Sequence, residues 1–253
     1  MNPTQHANPA STPDATVADL EKMRGAIRYN RWLLEQVSGE IGRRVLEVGA
    51  GIGNATGALL PRAELVVAVE PNLAAAARLR RQYRQHAKVL VVEADICDPA
   101  LGALACHRCD TAICFNVLEH IGDDVAALRN IARILVPGGR LLLIVPALPA
   151  IFGTIDRLVG HHRRYLPKTL RKSLQEADYQ VERMSWMNFF GVLPWFVNNR
   201  ILRRKEESTA QIGVFDRYIV PVVRRLERLV RPPVGLSLVA VASTRRACLE
   251  EAA

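Results

Sequence analysis

Val45-Leu46-Glu47-Val48-Gly49-Ala50-Gly51-Ile52-Gly53-Asn54 decides the fold. A continuous apolar run, Arg44–Val48, stops on a glycine-rich turn, and Asn54–Leu60 then reads as a helix closed by Pro61. A strand that enters a tight glycine turn and leaves as a helix opens a parallel α/β sheet, whose ligands sit at the carboxyl ends of the strands. Glycine lets the backbone pass close to such a ligand. The turn alone would also fit a nicotinamide or flavin site, but two details argue against that. The third glycine of a GxGxxG pattern falls one residue early, at Gly53, and Asn54 stands in its place. Glu47, just ahead of the glycines, suits the ammonium of a methionine moiety and ill suits a pyrophosphate.

Outward from this turn the same rhythm continues. Strands are predicted at Glu64–Val69, Lys88–Val92, Asp110–Phe115 and Arg140–Val145, with helices at Leu73–His86 and Val125–Leu135. Unbroken Val/Ile/Leu strands between helices predict a parallel sheet covered on both faces. After Pro146 the pattern changes. Pro167–Ala177 reads as a helix, Tyr179–Met187 alternates like a strand, and Gly235–Thr244 is a last strand entered through Pro232-Pro233. The intervening Asn188–Val234 is too long for a hairpin loop. It holds an aromatic helix, Phe189–Leu202, and a basic one, Val214–Val230, and is predicted to be a helical insertion over the sheet's rim.

The strand ends carry an ordered polar set: Glu47, Glu70, Asp95 and Asn116. Glu70 stands 19 residues past Gly51, where a carboxylate accepts from the hydroxyls of a ribose in nucleotide-binding sheets. Asp95 could accept from an adenine amino group. A single acid after a strand is often a helix cap. An ordered set along one sheet edge is harder to explain that way.

Composition narrows the class. The 253 residues are 49% hydrophobic and 23% charged, which is globular, and long enough to bury a full core. The expected organisation is a disordered tail over 1–20, rich in Pro, Thr, Ser, Asn and Ala, and one domain over 21–253 with 188–234 as its lid. No apolar run reaches the roughly 18 residues of a membrane span, and the first 20 residues lack a secretory pattern, so the cytoplasm is the expected compartment. Five cysteines, an odd number, read as free thiols. Cys106-His107-Arg108-Cys109 contains a CxxC but no second pair at zinc spacing, so no metal is expected. Of the net charge of +9, residues 1–150 hold 16 Lys+Arg against 15 Asp+Glu, while 151–253 hold 18 against 10. The second part therefore faces something anionic or is a solvated arginine-rich surface.

On these residues the chain resembles the class I S-adenosylmethionine-dependent methyltransferases. The resemblance rests on Val45–Asn54, Val66–Pro71, Glu93–Ile96, Phe115–His120 and Leu135–Val145, where Leu135-Val136-Pro137-Gly138-Gly139 precedes the fifth strand, and it covers about residues 25–185. It implies a Rossmann-like seven-stranded sheet of order 3-2-1-4-5-7-6 with the seventh strand antiparallel. It implies S-adenosyl-L-methionine as cofactor, Gly49 and Gly51 under its methionine moiety, Glu70 on the ribose, and Asp95 and Ile96 beside the adenine. The expected cofactor set is Tyr29, Glu47, Gly49, Ala50, Gly51, Asn54, Glu70, Pro71, Asp95, Ile96, Asn116 and Val117. Tyr29-Asn30-Arg31-Trp32 looks like an element that closes over the cofactor in such enzymes, or a helix that packs Trp32 on the core.

The acceptor is read from the segments after the fourth and fifth strands. Asn116-Val117-Leu118-Glu119-His120 lacks the Asn-Pro-Pro-Tyr of amide and base methylation and the Pro-Cys of cytosine methylation, and looks like the small-molecule enzymes. Gly160-His161-His162-Arg163-Arg164-Tyr165 resembles a GHxRRY segment of a bacterial subgroup associated with surface polysaccharide or secondary metabolism. His162, Arg163, Arg164 and Tyr165 could bind an anionic acceptor through arginine forks. Alternatively they form a structural corner, with arginine on Asp156, Tyr165 packed and histidine solvated. His161, and after it His120, are the candidate general bases for an oxygen or nitrogen nucleophile. The reading allows a monomer or a homodimer. It argues against nucleic acid for want of a separate module, and leaves open an in-plane membrane contact through Trp186–Arg204 for a lipid-linked substrate.

Overall fold

The computed structural model describes residues 20–21, 23–203 and 209–245. The expected tail falls, apart from Leu20, outside them. The strands are β1 (Arg44–Val48), β2 (Leu65–Glu70), β3 (Val89–Glu93), β4 (Cys109–Phe115), β5 (Leu135–Pro146), β6 (Tyr179–Met187) and β7 (Ser237–Thr244). They form one seven-stranded sheet of order β3-β2-β1-β4-β5-β7-β6. β1 to β5 run parallel, and β7 lies antiparallel between β5 and β6. The strand order reverses between β1 and β4, and the carboxyl ends of those two strands open the crevice that open α/β sheets use for ligands.

Strand periodicity divides the core into two layers, because successive side chains point to opposite faces. Leu46, Val67, Ala112, Leu141, Leu143 and Ala240 face one layer, closed by α4 (Asp124–Ile134) through Leu128 and Ile131 and by α6 (Pro167–Glu176) through Leu170 and Leu174. Val45, Val66, Ile113, Leu142, Ile144 and Val239 face the other. There α1 (Ile27–Glu35) contributes Trp32 and Leu33, α3 (Leu73–Tyr83) contributes Leu79, and α9 (Val220–Leu229) contributes Val220 and Val223. Each such side chain adds about 1.5–3 kcal/mol of burial. Part of the insertion is therefore a wall of the core, which sequence reasoning had placed only at the rim.

The elements depart from expectation where backbone chemistry intervenes. The helix after the glycine turn is reduced to α2 (Thr56–Leu59). The aromatic helix is divided into a 3-10 turn at Phe189–Gly191, α7 (Val192–Phe196) and a π turn at Val197–Ile201. α8 (Thr209–Val214) runs into a π turn at Phe215–Ile219 just ahead of Pro221 in α9. A proline lacks the N–H that a regular helix would direct at residue 217, and a widened turn absorbs the mismatch. The short α5 (Thr154–Leu158) follows β5 and leads into the histidine–arginine segment.

Candidate active site

The glycine turn after β1 is built for close approach. Gly49 and Gly51 have φ of +69° and +56°, the left-handed region that favours glycine. Gly49 and Ala50 donate their N–H to the Val69 carbonyl at 2.9 and 3.1 Å, which ties the turn to the end of β2. A Cβ at Gly49 would run into the Val117 side chain after β4, and one at Gly51 would lie 3.2 Å from Leu20. Leu20 thus lies over the turn. Its carbonyl accepts from Asn54 Nδ2 at 3.4 Å, and Glu21 beside it pairs with Arg78 on α3. The cover over the glycines therefore lies several residues ahead of Tyr29–Trp32. Trp32 is buried in the core, with Tyr29 edge-on to it at 6.2 Å, which is the packing alternative of that segment.

The acids at the strand ends differ in their engagement. Glu47 is buried and accepts from the Thr56 hydroxyl at 2.6 Å. Burial pushes its carboxyl up to about 7, against the lowering effect of that bond. Glu70 accepts from Gly51 N–H at 2.7 Å and Asn72 N–H at 2.9 Å, so it holds the turn, and burial raises it as well. Asp95 is exposed and caps the Cys97 N–H at 2.9 Å, and Ile96 is buried behind it. Pro71 is exposed. Asn116 is exposed at φ +53°, and Val117 lies beside Gly49. β1 to β4 thus bring Glu47, the glycines, Glu70, Asp95 and Asn116 to one sheet edge.

Whether these residues fit S-adenosylmethionine can be asked of the geometry itself. Gly49 has no room for a Cβ, both glycines hold a left-handed backbone that a side chain would strain, and a carboxylate lies within hydrogen-bond reach of the turn. Asn54 Oδ1 is buried without a partner among the described residues, an orphan acceptor beside the turn. A ligand with an ammonium and ribose hydroxyls answers these features, and the residues fit it.

Beyond β5 a second constellation centres on Asp156 in α5. Its carboxylate is fully buried and takes four hydrogen bonds: His161 Nδ1 at 2.9 Å, Arg164 Nε at 2.7 Å, Asn199 Nδ2 at 2.6 Å and Gly153 N–H at 3.0 Å. Burial alone would raise Asp156, but the His161 bond, the Arg164 charge and the Gly153 and Asn199 bonds outweigh it and hold the carboxyl at about 2. An ionised Asp156 places a proton of His161 on Nδ1, and in the neutral imidazole Nε2 is then the acceptor. Nε2 faces Glu119 Oε1 at 3.8 Å, and the His120 ring packs edge-on at 4.7 Å. Glu119 is fully buried, neither oxygen has a hydrogen-bond partner among the described residues, and burial pushes it up to about 8. His161 therefore lies between a carboxyl held low by its partners and a carboxyl pushed up by burial. Glu119, His120 and His161 also bring one donor atom each within 4.8 Å of one another.

The neighbouring segment has the contacts of the structural corner that its sequence left open. Arg164 is buried, reaches the Ala147 carbonyl at 3.0 Å and stacks over Trp195 at 4.8 Å. Arg163 pairs with Asp124 at 3.0 Å, and the buried Tyr165 hydroxyl donates to the same residue at 2.9 Å. His162 is exposed, with its N–H on the Glu119 carbonyl at 2.8 Å. Cys97 lies next to Asp95 at the cofactor edge, and Cys109 at the far end of β4. Burial pushes Cys97 up to about 12 and Cys109 to about 11.

Sequence reasoning named Asp156 only as an arginine partner, and did not single out Glu119, Asn199 or Trp195 as site residues. Glu119 had a signal in hindsight, an acid between Leu118 and His120 in an apolar stretch. Asn199, Trp195 and Asp216, which accepts from Tyr29 N–H at 2.7 Å, lie in the insertion, and only the folded chain brings them here.

Residues 20–192 match the family model of a methyltransferase domain. A protein of Xanthomonas oryzae pv. oryzae (strain PXO99A), named ubiquinone biosynthesis O-methyltransferase, is 30% identical over 183 residues, 65% of this chain and 73% of that protein. In fold, the chain resembles a SAM-dependent methyltransferase from Thermotoga maritima with a TM-score of 0.60 at 15% identity, over 90% of this chain and 96% of that one. The cyclase SpnF aligns with a TM-score of 0.56 at 20% identity, over 87% of this chain and 81% of that one. The sheet alone therefore does not fix the reaction, which must be argued from the site.

Proposed function

The chain belongs to the S-adenosylmethionine-dependent methyltransferases, and from that premise we propose that it methylates a hydroxyl of a small-molecule acceptor, with His161 taking the hydroxyl proton. The observation that carries the reading is the Asp156–His161 pair at 2.9 Å, whose free Nε2 lies on the side of the β4 turn. The relative named as an O-methyltransferase supports oxygen as the accepting atom.

Gly49–Gly51, Asn54 and Glu70 would hold S-adenosylmethionine, which supplies a methyl already activated by its sulfonium. The chain's own task is then alignment, exclusion of water and custody of one proton. Asp156 fixes the His161 tautomer and stabilises the imidazolium that forms when Nε2 accepts that proton, the role a buried aspartate plays in a hydrolase triad. Glu119 Oε1 stands 3.8 Å from Nε2, beyond hydrogen-bond distance, so it does not engage the lone pair that takes the proton. Arg163, Arg164 and Tyr165 position this turn, and His162 lies at its open side, where an acceptor would enter. The cytoplasm is the compartment proposed for the enzyme.

The test is product mass after incubation with methyl-labelled S-adenosylmethionine and a panel of phenols and other hydroxylated compounds. O-methylated product that disappears in His161→Asn, with S-adenosylhomocysteine still bound, supports the assignment. Methylation on nitrogen, or full turnover in His161→Asn, overturns it.

A further inference from the structure

The insertion presents its outer surface in an unusual way. Eighteen large hydrophobic residues are exposed among those described, and thirteen of them lie between Phe189 and Val230. Apolar residues scattered singly on a surface need no explanation, but a concentration in one segment does. Their spacing is regular. In the run through the second π turn and α9, Asp216, Val220, Val223 and Glu227 face inward, while Tyr218, Val222, Leu226 and Leu229 recur at helical intervals on the opposite side and are 46–83% exposed. This helix has two apolar stripes, and among the described residues only one has a partner. The aromatic segment repeats the pattern: Asn199 points inward, and Phe189, Leu193 and Phe196 point out. The two segments meet where the Glu227 carboxylate accepts from the Asn188 and Phe189 N–H groups, at 3.0 and 2.8 Å.

Charge identifies the occupant. The described residues of 189–231 hold seven arginines and two acids, and both acids point inward onto backbone N–H groups. Arg224 and Arg228 share Glu35 of α1. Arg217, Arg225 and Arg231 are exposed beside the apolar stripe. A second copy of this face would bring arginines against arginines. An anionic bilayer instead takes the apolar stripe among its acyl chains and the guanidinium groups at its phosphates. Among the described residues no helix is long and apolar enough to cross a membrane, so the contact lies in the plane.

We infer that the outward stripe of the α9 run, with the aromatic segment beside it, seats the protein on the surface of an anionic phospholipid bilayer. The same insertion reaches the active site from its inner side, through Asn199 on Asp156 and Trp195 under Arg164. Seating it on lipid would present the site to an acceptor carried in or near the membrane. The docking surface stands independently of the reaction assigned to His161.

Co-sedimentation of the full chain with phosphatidylcholine vesicles, with and without phosphatidylglycerol, tests this. Binding is expected with phosphatidylglycerol and should fall steeply with salt. Arg225→Glu should weaken it at least about fivefold, the order expected for one cation at a lipid surface. Leu226→Asp with Leu229→Asp should abolish binding while the melting temperature stays near wild type, because both side chains are solvent-exposed in the free protein. Equal binding by wild type and the double variant, or no binding to either vesicle, overturns the inference. A stable dimer in sedimentation velocity that the double variant dissociates also overturns it and assigns the face to self-association.

Discussion

His161 Nδ1 donates to Asp156 at 2.9 Å, and the same carboxylate oxygen accepts from Arg164 Nε at 2.7 Å. The shared oxygen separates two kinds of defect. Replacing His161 with Asn removes the base and leaves Asp156 with Arg164, Gly153 and Asn199. Turnover should fall about 10²-fold while affinity for S-adenosylhomocysteine stays within about twofold. Replacing Asp156 with Ala also leaves the buried Arg164 charge without its carboxylate, and should destabilise the fold by about 3–5 kcal/mol. Calorimetric binding and thermal denaturation of the two variants would distinguish catalytic from structural loss. Equal destabilisation by both would refute this division.

Glu70 should act on both ligand affinity and the shape of the turn. Its carboxylate receives the Gly51 and Asn72 N–H groups. Glu70→Ala leaves those donors without their acceptor at about 1–3 kcal/mol each where they remain buried. We expect at least tenfold weaker S-adenosylmethionine binding, about 1.4 kcal/mol, and a lower melting temperature. Gly51→Val combines a left-handed backbone with a side chain directed at Leu20, and should lower cofactor affinity at least as much. Unchanged affinity in both folded variants, measured by calorimetry, would remove the cofactor assignment from this edge.

The fold was legible because the strand signals are backbone signals. Apolar runs ending on glycine or an acid located β1 to β3, further apolar runs located β4, β5 and β7, and alternation located β6, all within about five residues, and the Glu70 position followed from spacing alone. The insertion was less legible. Its helices have apolar residues on two sides, so periodicity revealed them without saying which side faces the core. Asn199 and Asp156 are 43 residues apart and share no local pattern. The arginines of the 160–165 turn look in sequence like an anion site as readily as a corner on Asp156, because nothing local shows that Asp124, some forty residues earlier, engages Arg163 and Tyr165.

Stability should fall as pH rises through neutrality. Glu119 is raised by burial from 4.5 to about 8, and Glu47 from 4.5 to about 7. Below pH 4.5 both the folded and unfolded chains bind these protons. Between 4.5 and about 7 for Glu47, and up to about 8 for Glu119, the folded chain retains the proton and the unfolded chain does not. His120, lowered by burial to about 4, acts in the opposite sense below 6.5. The net loss of stability therefore falls between about pH 6.5 and 8 and levels off above it. Glu119→Gln cannot ionise and should flatten the alkaline part of the profile, becoming more stable than wild type near pH 8.5. Melting temperatures from pH 5 to 9 check this. A wild-type profile that rises between about pH 6.5 and 8, or an unchanged slope in Glu119→Gln, would contradict it.

Asn199 tests whether the insertion is part of the catalytic machinery or only covers it. Its amide donates to Asp156 Oδ2 at 2.6 Å and to the Ile151 carbonyl at 3.2 Å, and its oxygen accepts the Ile155 N–H at 2.7 Å. One buried side chain therefore fixes both the start of α5 and the carboxylate behind His161. Asn199→Ala should cost about 1–3 kcal/mol through the groups it leaves unpaired. Asn199→Asp keeps the shape but sets a second carboxylate against Asp156. Two carboxylates that close cannot both ionise readily, so Asp156 would move up from about 2 and lose its hold on the Nδ1 proton. Asn199→Asp should then shift the acid limb of the turnover profile upward and reduce turnover more than Asn199→Ala does at equal cofactor affinity. A purely structural role predicts the reverse order, with turnover following the folded fraction in both variants. Turnover against pH, normalised to folded protein by circular dichroism, decides between them.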